Sequence, residues 1–238
     1  MTAPSSLTRE SVAARLSGSP GERAALIREG AEAGIAEAQA VWGQMRLDDG
    51  HPREGFDWFN RAAAQGHLMA LNMVGRCYDL GWGVAVDKTR AAECFRVAAE
   101  RGLDWGLYNY ATALTLGEGL AEDKAAALDW FRQAASLGNA KAKNYVGSFH
   151  EDGWVVERDM AAAARWYAEA ADGGDFRGQF NHARMLIDAG RCDEALTWLV
   201  RCGAAATVDF RGKAADWLRA RADLGEEAVA ALLGAASR

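Results

Sequence analysis

Large and small apolar residues alternate along this chain at helical spacing. In the stretch Lys88–Arg101 the pair Cys94-Phe95 is followed four residues later by Ala98-Ala99. The same arrangement recurs at Trp58-Phe59 with Ala62-Ala63, Trp130-Phe131 with Ala134-Ala135, and Trp166-Tyr167 with Ala170-Ala171. Residues at i and i+4 share one face of a helix, so each large side chain projects beside the gap left by a small one. A second small column, Gly43, Gly75, Ala111 and Gly147, lies in the preceding apolar segment and predicts close helix approach. Each glycine costs about 1 kcal/mol against alanine in an exposed helix, so packing must offset it. No alternating run of strand length occurs.

The pattern is periodic. Segments 67–102, 103–138 and 139–174 align without gaps at 36 residues apiece, and the segment ending at Gly66 joins them after a four-residue deletion at its middle loop. Each unit predicts two antiparallel helices, for example Leu68–Leu80 and Lys88–Arg101, joined by a Gly-rich turn. Asp87, Asp123 and Asp159 stand where a carboxylate accepts the free N–H groups of a helix start. Gly102, Gly138 and the Gly173-Gly174 pair stand where a helix ends in the left-handed conformation.

The columns Ala70, Gly75, Tyr78, Gly81, Gly83, Val84, Asp87, Ala91, Phe95, Ala98, Ala99 and Gly102 together resemble the Sel-one-like repeat, a relative of the tetratricopeptide repeat. The resemblance implies an all-α, right-handed α-solenoid of about six stacked antiparallel helical hairpins. Repeats are expected over 34–66, 67–102, 103–138, 139–174 and 175–206. Residues 1–33 are expected to form an N-terminal cap, with Leu26-Ile27 in the aromatic column and SLTRESVAARL as a degenerate first helix. Residues 207–238 are expected to form capping helices, with Ala215 in the small column.

The resemblance also implies a binding wall built from the first helix of each hairpin. Its positions are Met69, Asn72, Arg76 and Asp79, then Trp105, Tyr108, Thr112 and Thr115. They continue with Lys141, Asn144, Ser148 and Glu151, then Arg177, Phe180, Arg184 and Ile187. These columns vary in chemistry while the packing columns stay small or apolar. Two readings stand for each group. Trp105 and Tyr108 either stack a partner's side chain or pack on the previous hairpin. Arg76, Lys141, Arg177 and Arg184 either hold a partner's carboxylates or pair internally with Asp79, Glu151 and Asp152. Asn72 and Asn144 either bond an extended backbone or face solvent.

Charge and chemistry narrow the function. The net charge of −6 and pI near 5.3 argue against a nucleic-acid surface. The N-terminal stretch carries no apolar core of signal-peptide length, and no run of about 18 apolar residues predicts a membrane span. Cys77, Cys94, Cys192 and Cys202 form no CxxC pair and read as reduced thiols of a cytoplasmic protein. Of the histidines, His51 and His67 fall at turns, while His150 and His182 fall in packing columns. The run His150-Glu151-Asp152 invites a metal or acid–base reading, but adjacent helical residues point apart. No phosphate loop and no nucleophile elbow occurs. Trp82 and Trp154 are expected to pack over the hairpin ends.

The expectation is a non-catalytic protein- or peptide-binding adaptor, monomeric or weakly homodimeric, with no cofactor or metal. Two alternatives remain. Some secreted relatives are linked to β-lactam hydrolysis, but they carry a cysteine pair in each repeat that is absent here. The other is a structural module that associates through a solenoid edge.

Overall fold

The computed structural model of the chain describes residues 17–221 and 225–234. Every regular element among them is an α-helix. In chain order these are α1 (Pro20–Glu32), α2 (Ala36–Asp48), α3 (Pro52–Ala64), α4 (Leu68–Leu80), α5 (Lys88–Glu100), α6 (Asp104–Leu116) and α7 (Lys124–Ser136). They continue with α8 (Ala140–Asp152), α9 (Met160–Asp172), α10 (Phe176–Asp188), α11 (Cys192–Ala205), α12 (Val208–Arg219) and α13 (Gly225–Gly234). The stretch SLTRESVAARL, expected as a degenerate first helix, lies outside the described residues.

The helix boundaries follow local chemistry. Asp87, Asp123 and Asp159 accept hydrogen bonds from the backbone N–H of Arg90, Ala126 and Ala162 at 3.0, 2.9 and 2.8 Å. Each such cap is worth about 1 kcal/mol. At the other ends Gly102, Gly138 and Gly174 take positive φ, as expected, whereas Gly173 stays right-handed. Ser19 and Glu22 form a capping box at the start of α1.

The chain divides into two compact units by contact, with the division falling inside α6. One unit runs to Asn109 and also holds Gly117–Ala121; the other holds Tyr110–Leu116 and the chain from Glu122 onward. In the first, α2 pairs with α3 and α4 with α5. In the second, α8 pairs with α9 and α10 with α11, and α13 packs on α11 and α12.

The two small columns do the same work in both units. A Cβ placed on Gly75 would lie 2.6 Å from the Phe95 ring, and one on Gly147 would lie 2.6 Å from Tyr167. Only a bare backbone lets the ring seat. Phe95 and Tyr167 are then 5% and 1% exposed. Burying such a ring contributes about 1.5–3 kcal/mol, more than the glycine costs in helix propensity. Where the column holds Ala111, the ring of Phe131 stacks on Tyr145 at 4.6 Å instead.

The turns differ in one place. A Cβ on Gly83 would lie 2.3 Å from the Pro52 carbonyl oxygen, and one on Gly119 would lie 2.0 Å from that of Lys88. These turns therefore press on the start of the preceding second helix. The corresponding residue of the next turn is Val155, which holds φ at 52°. A β-branched residue there carries strain of about 1–3 kcal/mol.

Candidate partner-binding face

The first helices of each unit carry the expected wall, and packing sorts its residues into three groups. The first group is interior. Asn72 is 2% exposed and accepts a hydrogen bond on Oδ1 from Asn109 Nδ2 at 2.8 Å. Asn144, 6% exposed, accepts one from Asn181 Nδ2 at the same distance. These amides tie one first helix to the next. They neither face solvent nor offer themselves to a partner's backbone, which corrects both expected readings. Thr115 turns its hydroxyl onto the Ala111 carbonyl at 2.8 Å. Phe180 is buried against Phe210 and Trp217, and Ile187 joins the same core, so neither lines an open surface.

The second group is a closed polar network in the second unit. Arg184 grips Glu151 with two parallel N–H···O bonds of 3.1 and 2.9 Å, and its Nε and Nη2 also reach Asn181. The Tyr167 hydroxyl donates to the same carboxylate at 2.6 Å, with Ser148 Oγ at 3.2 Å from the phenol oxygen. Burial alone pushes the Glu151 carboxyl up, but Arg184 and Tyr167 outweigh it and hold it below the usual range. Burial raises the Tyr167 phenol, and the neighbouring carboxylate adds to that. Arg184 is thus internally paired. In the first unit, Lys88 ties Asp79 and Glu118 at 2.6 and 2.9 Å, which takes Asp79 out of play.

The third group stays accessible. Met69 and Trp105 are 38% and 37% exposed, and Trp105 meets Tyr108 edge to face at 6.0 Å. Arg76 lies over the Trp82 ring at 4.7 Å and makes no ion pair with any described residue. Thr112 and Lys141 are half-buried, while Arg177 is exposed with its guanidinium over Phe176 and Phe210. Trp82 packs at its hairpin end under Arg76, but Trp154 keeps 38% exposure with Lys124 Nζ 5.0 Å from its centre.

The matching sequence columns decide the family. A Sel1 repeat profile matches residues 36–67, 68–103, 106–139 and 140–175, more than half of the chain. The chain belongs to the Sel1 repeat family. Among relatives, an uncharacterized Sel1-like repeat-containing protein of Schizosaccharomyces pombe is 32% identical over 69 residues. That match covers 29% of this chain and 10% of the yeast protein. A Sel1 repeat protein of Oxalobacter formigenes superposes with a TM-score of 0.69 at 24% identity, over 85% of this chain and 60% of that one. A protective antigen of uropathogenic Escherichia coli with the same fold gives 0.68 at 22%, over 96% and 52%. An immunity protein of Pseudomonas aeruginosa gives 0.53 at 19%, over 76% and 68%. The chain thus spans little more than half the length of the first two structures. These likenesses establish the all-α solenoid-type fold.

In this Sel1 repeat chain the groups that suggested catalysis are dispersed. His150 and His182 each bury a ring Nδ1 that no described residue partners, and His182 lies edge-on to Trp198 at 5.3 Å. Burial depresses the His182 pKa. The run from His150 to Asp152 does not converge: Glu151 turns to Arg184, and Asp152 is exposed. No group of three or more metal-ligating side chains occurs among the described residues. The four cysteines are free, and burial pushes Cys77 and Cys94 up to about 11 and Cys202 to about 12. Among described residues no helix is long and apolar enough to cross a membrane.

Sequence reasoning missed the ring cluster formed by Phe176, Phe210 and Trp217 beneath the wall cations. A signal was present, since Phe176 precedes the wall residue Arg177 and the other two rings fall in the expected C-terminal capping helices. The partners of the buried amides, Asn109 and Asn181, also recur one place after the wall column.

Proposed function

We propose that this Sel1 repeat protein is a non-catalytic adaptor that binds a protein or peptide partner through accessible first-helix residues of its repeats. Sel1 repeats generally act as protein-interaction scaffolds. One observation carries the reading for this chain: the packing columns are uniform and buried, while Met69, Arg76, Trp105, Tyr108 and Arg177 vary in chemistry and keep accessible surface. Aromatic and arginine side chains dominate the energetics of such interfaces. Arg76 is already held over Trp82, so less side-chain freedom is lost on binding. The four free thiols fit a reducing compartment such as the cytoplasm.

The test is capture and identification of a partner, followed by titration of the purified pair. Trp105→Ala with Arg76→Ala is expected to weaken binding at least about 30-fold, from two anchors of about 1–2 kcal/mol each. Helix content and melting should stay unchanged. Undiminished affinity in the double variant overturns the assignment of this face.

A further inference from the structure

We propose that Arg177 is a carboxylate receptor, so that the partner segment seated on the second unit is acidic. This rests on the partner-binding reading above and adds the chemistry of the ligand. The protein already makes such a contact with itself. Arg184 lies over the Trp217 ring at 5.6 Å and binds Glu151 through two N–H···O bonds of 3.1 and 2.9 Å. That is the fork geometry in which guanidinium and carboxylate match best.

Arg177, on the same helix, has the first half of that arrangement without the second. Its guanidinium lies 4.7 Å from the centre of Phe176 and 5.8 Å from that of Phe210. Rings on its face fix the plane of the group and leave its N–H edge as the way to bond. No carboxylate among the described residues forms an ion pair with it, and the acid that acts on it through charge, Asp175, is buried. Asp175, 6% exposed, is spent capping the Gly178 N–H at 2.8 Å. Lys141 lies in the same wall column on the neighbouring α8, and both it and Arg177 act through charge on Asp175. An exposed, oriented guanidinium with no ion-pair partner selects an anion, and the planar fork selects a carboxylate.

The probe is a fluorescein-labelled hexaglutamate peptide titrated by anisotropy against the full chain, beside a hexaglutamine peptide of the same label. Hexaglutamate is expected to bind and hexaglutamine not to, with affinity falling as salt is raised. Arg177→Ala should weaken hexaglutamate about tenfold without changing the melting temperature. Arg177→Lys keeps the charge but loses the fork, and should recover only part of the loss. Three results overturn the proposal: no hexaglutamate binding by the wild-type chain, equal binding of both peptides, or an Arg177→Ala variant that binds as well as wild type. The Trp105→Ala/Arg76→Ala variant separates the two ideas. If it keeps its affinity for the natural partner while Arg177→Ala loses hexaglutamate, the face assignment fails and the carboxylate receptor stands.

Discussion

The hairpin of α4 and α5 and the hairpin of α8 and α9 are built from the same columns, yet they treat charge in opposite ways. In the first, the ring that seats on the helical glycine is Phe95, which has nothing to donate. The acid Asp79 is drawn to Lys88 at the hairpin end, with the two side chains 28% and 37% exposed. In the second, the ring is Tyr167, and its hydroxyl reaches Glu151. That carboxylate then collects Arg184, with both side chains only 20% and 18% exposed. The difference lies in the ring hydroxyl and in the repeat that follows: 33 residues after Glu151 stands Arg184, whereas 33 residues after Asp79 stands Thr112. Arg76 remains available over Trp82, while Arg184 is closed.

This contrast predicts a graded set of effects. The largest comes from the acids. Glu151→Gln leaves Arg184 half-buried without its counter-charge and should cost about 2 kcal/mol in urea unfolding, discounted from a fully buried pair because both groups keep some water. Asp79→Asn should cost about 0–1 kcal/mol, as exposed pairs do. Equal costs would dissolve the comparison. Next, Tyr167→Phe removes one of the hydrogen bonds that Glu151 accepts and should cost about 1 kcal/mol. The same change should raise the Glu151 pKa, which NMR titration of the carboxyl would read.

The smallest effect is in pH. Burial lowers the folded pKa of His182 below its ordinary 6.5, so the unfolded chain binds its proton first as pH falls. Stability from this group is therefore full above about 6.5 and declines as pH drops toward the folded value. Asp172 and Glu194 act on His182 in the opposite sense, and Arg191 in the same sense as burial, so the slope should be shallow. Glu151 adds a second loss at lower pH, present above the ordinary carboxylate range and lost through its depressed value. His182→Phe should remove the upper slope and leave the lower one, by denaturant unfolding at a series of pH values.

Most of the fold is legible from periodicity because the same local causes act in every copy. Asp87, Asp123 and Asp159 cap by their own backbone geometry, and Phe95 and Gly75 pack within one hairpin. The wall is less legible because its exposure is set by residues outside the hairpin that carries it. Asn72 is buried by Asn109, 37 residues away, and Phe180 by Phe210 and Trp217 of α12. Of the arginine set, Arg184 pairs internally with Glu151, while Arg76 lies over Trp82 and makes no ion pair with any described residue. Arg184 is decided by Glu151 of the previous repeat and Arg76 by Trp82 in the turn.

Two tryptophans give the sharpest test of where the partner binds. Trp105 on the first-helix face and Trp154 in a turn are almost equally exposed, at 37% and 38%. Partner affinity by isothermal titration should fall about tenfold or more for Trp105→Ala and stay within about twofold for Trp154→Ala. The reverse order, with Trp154→Ala the damaging change, would place binding on the turns and contradict the account.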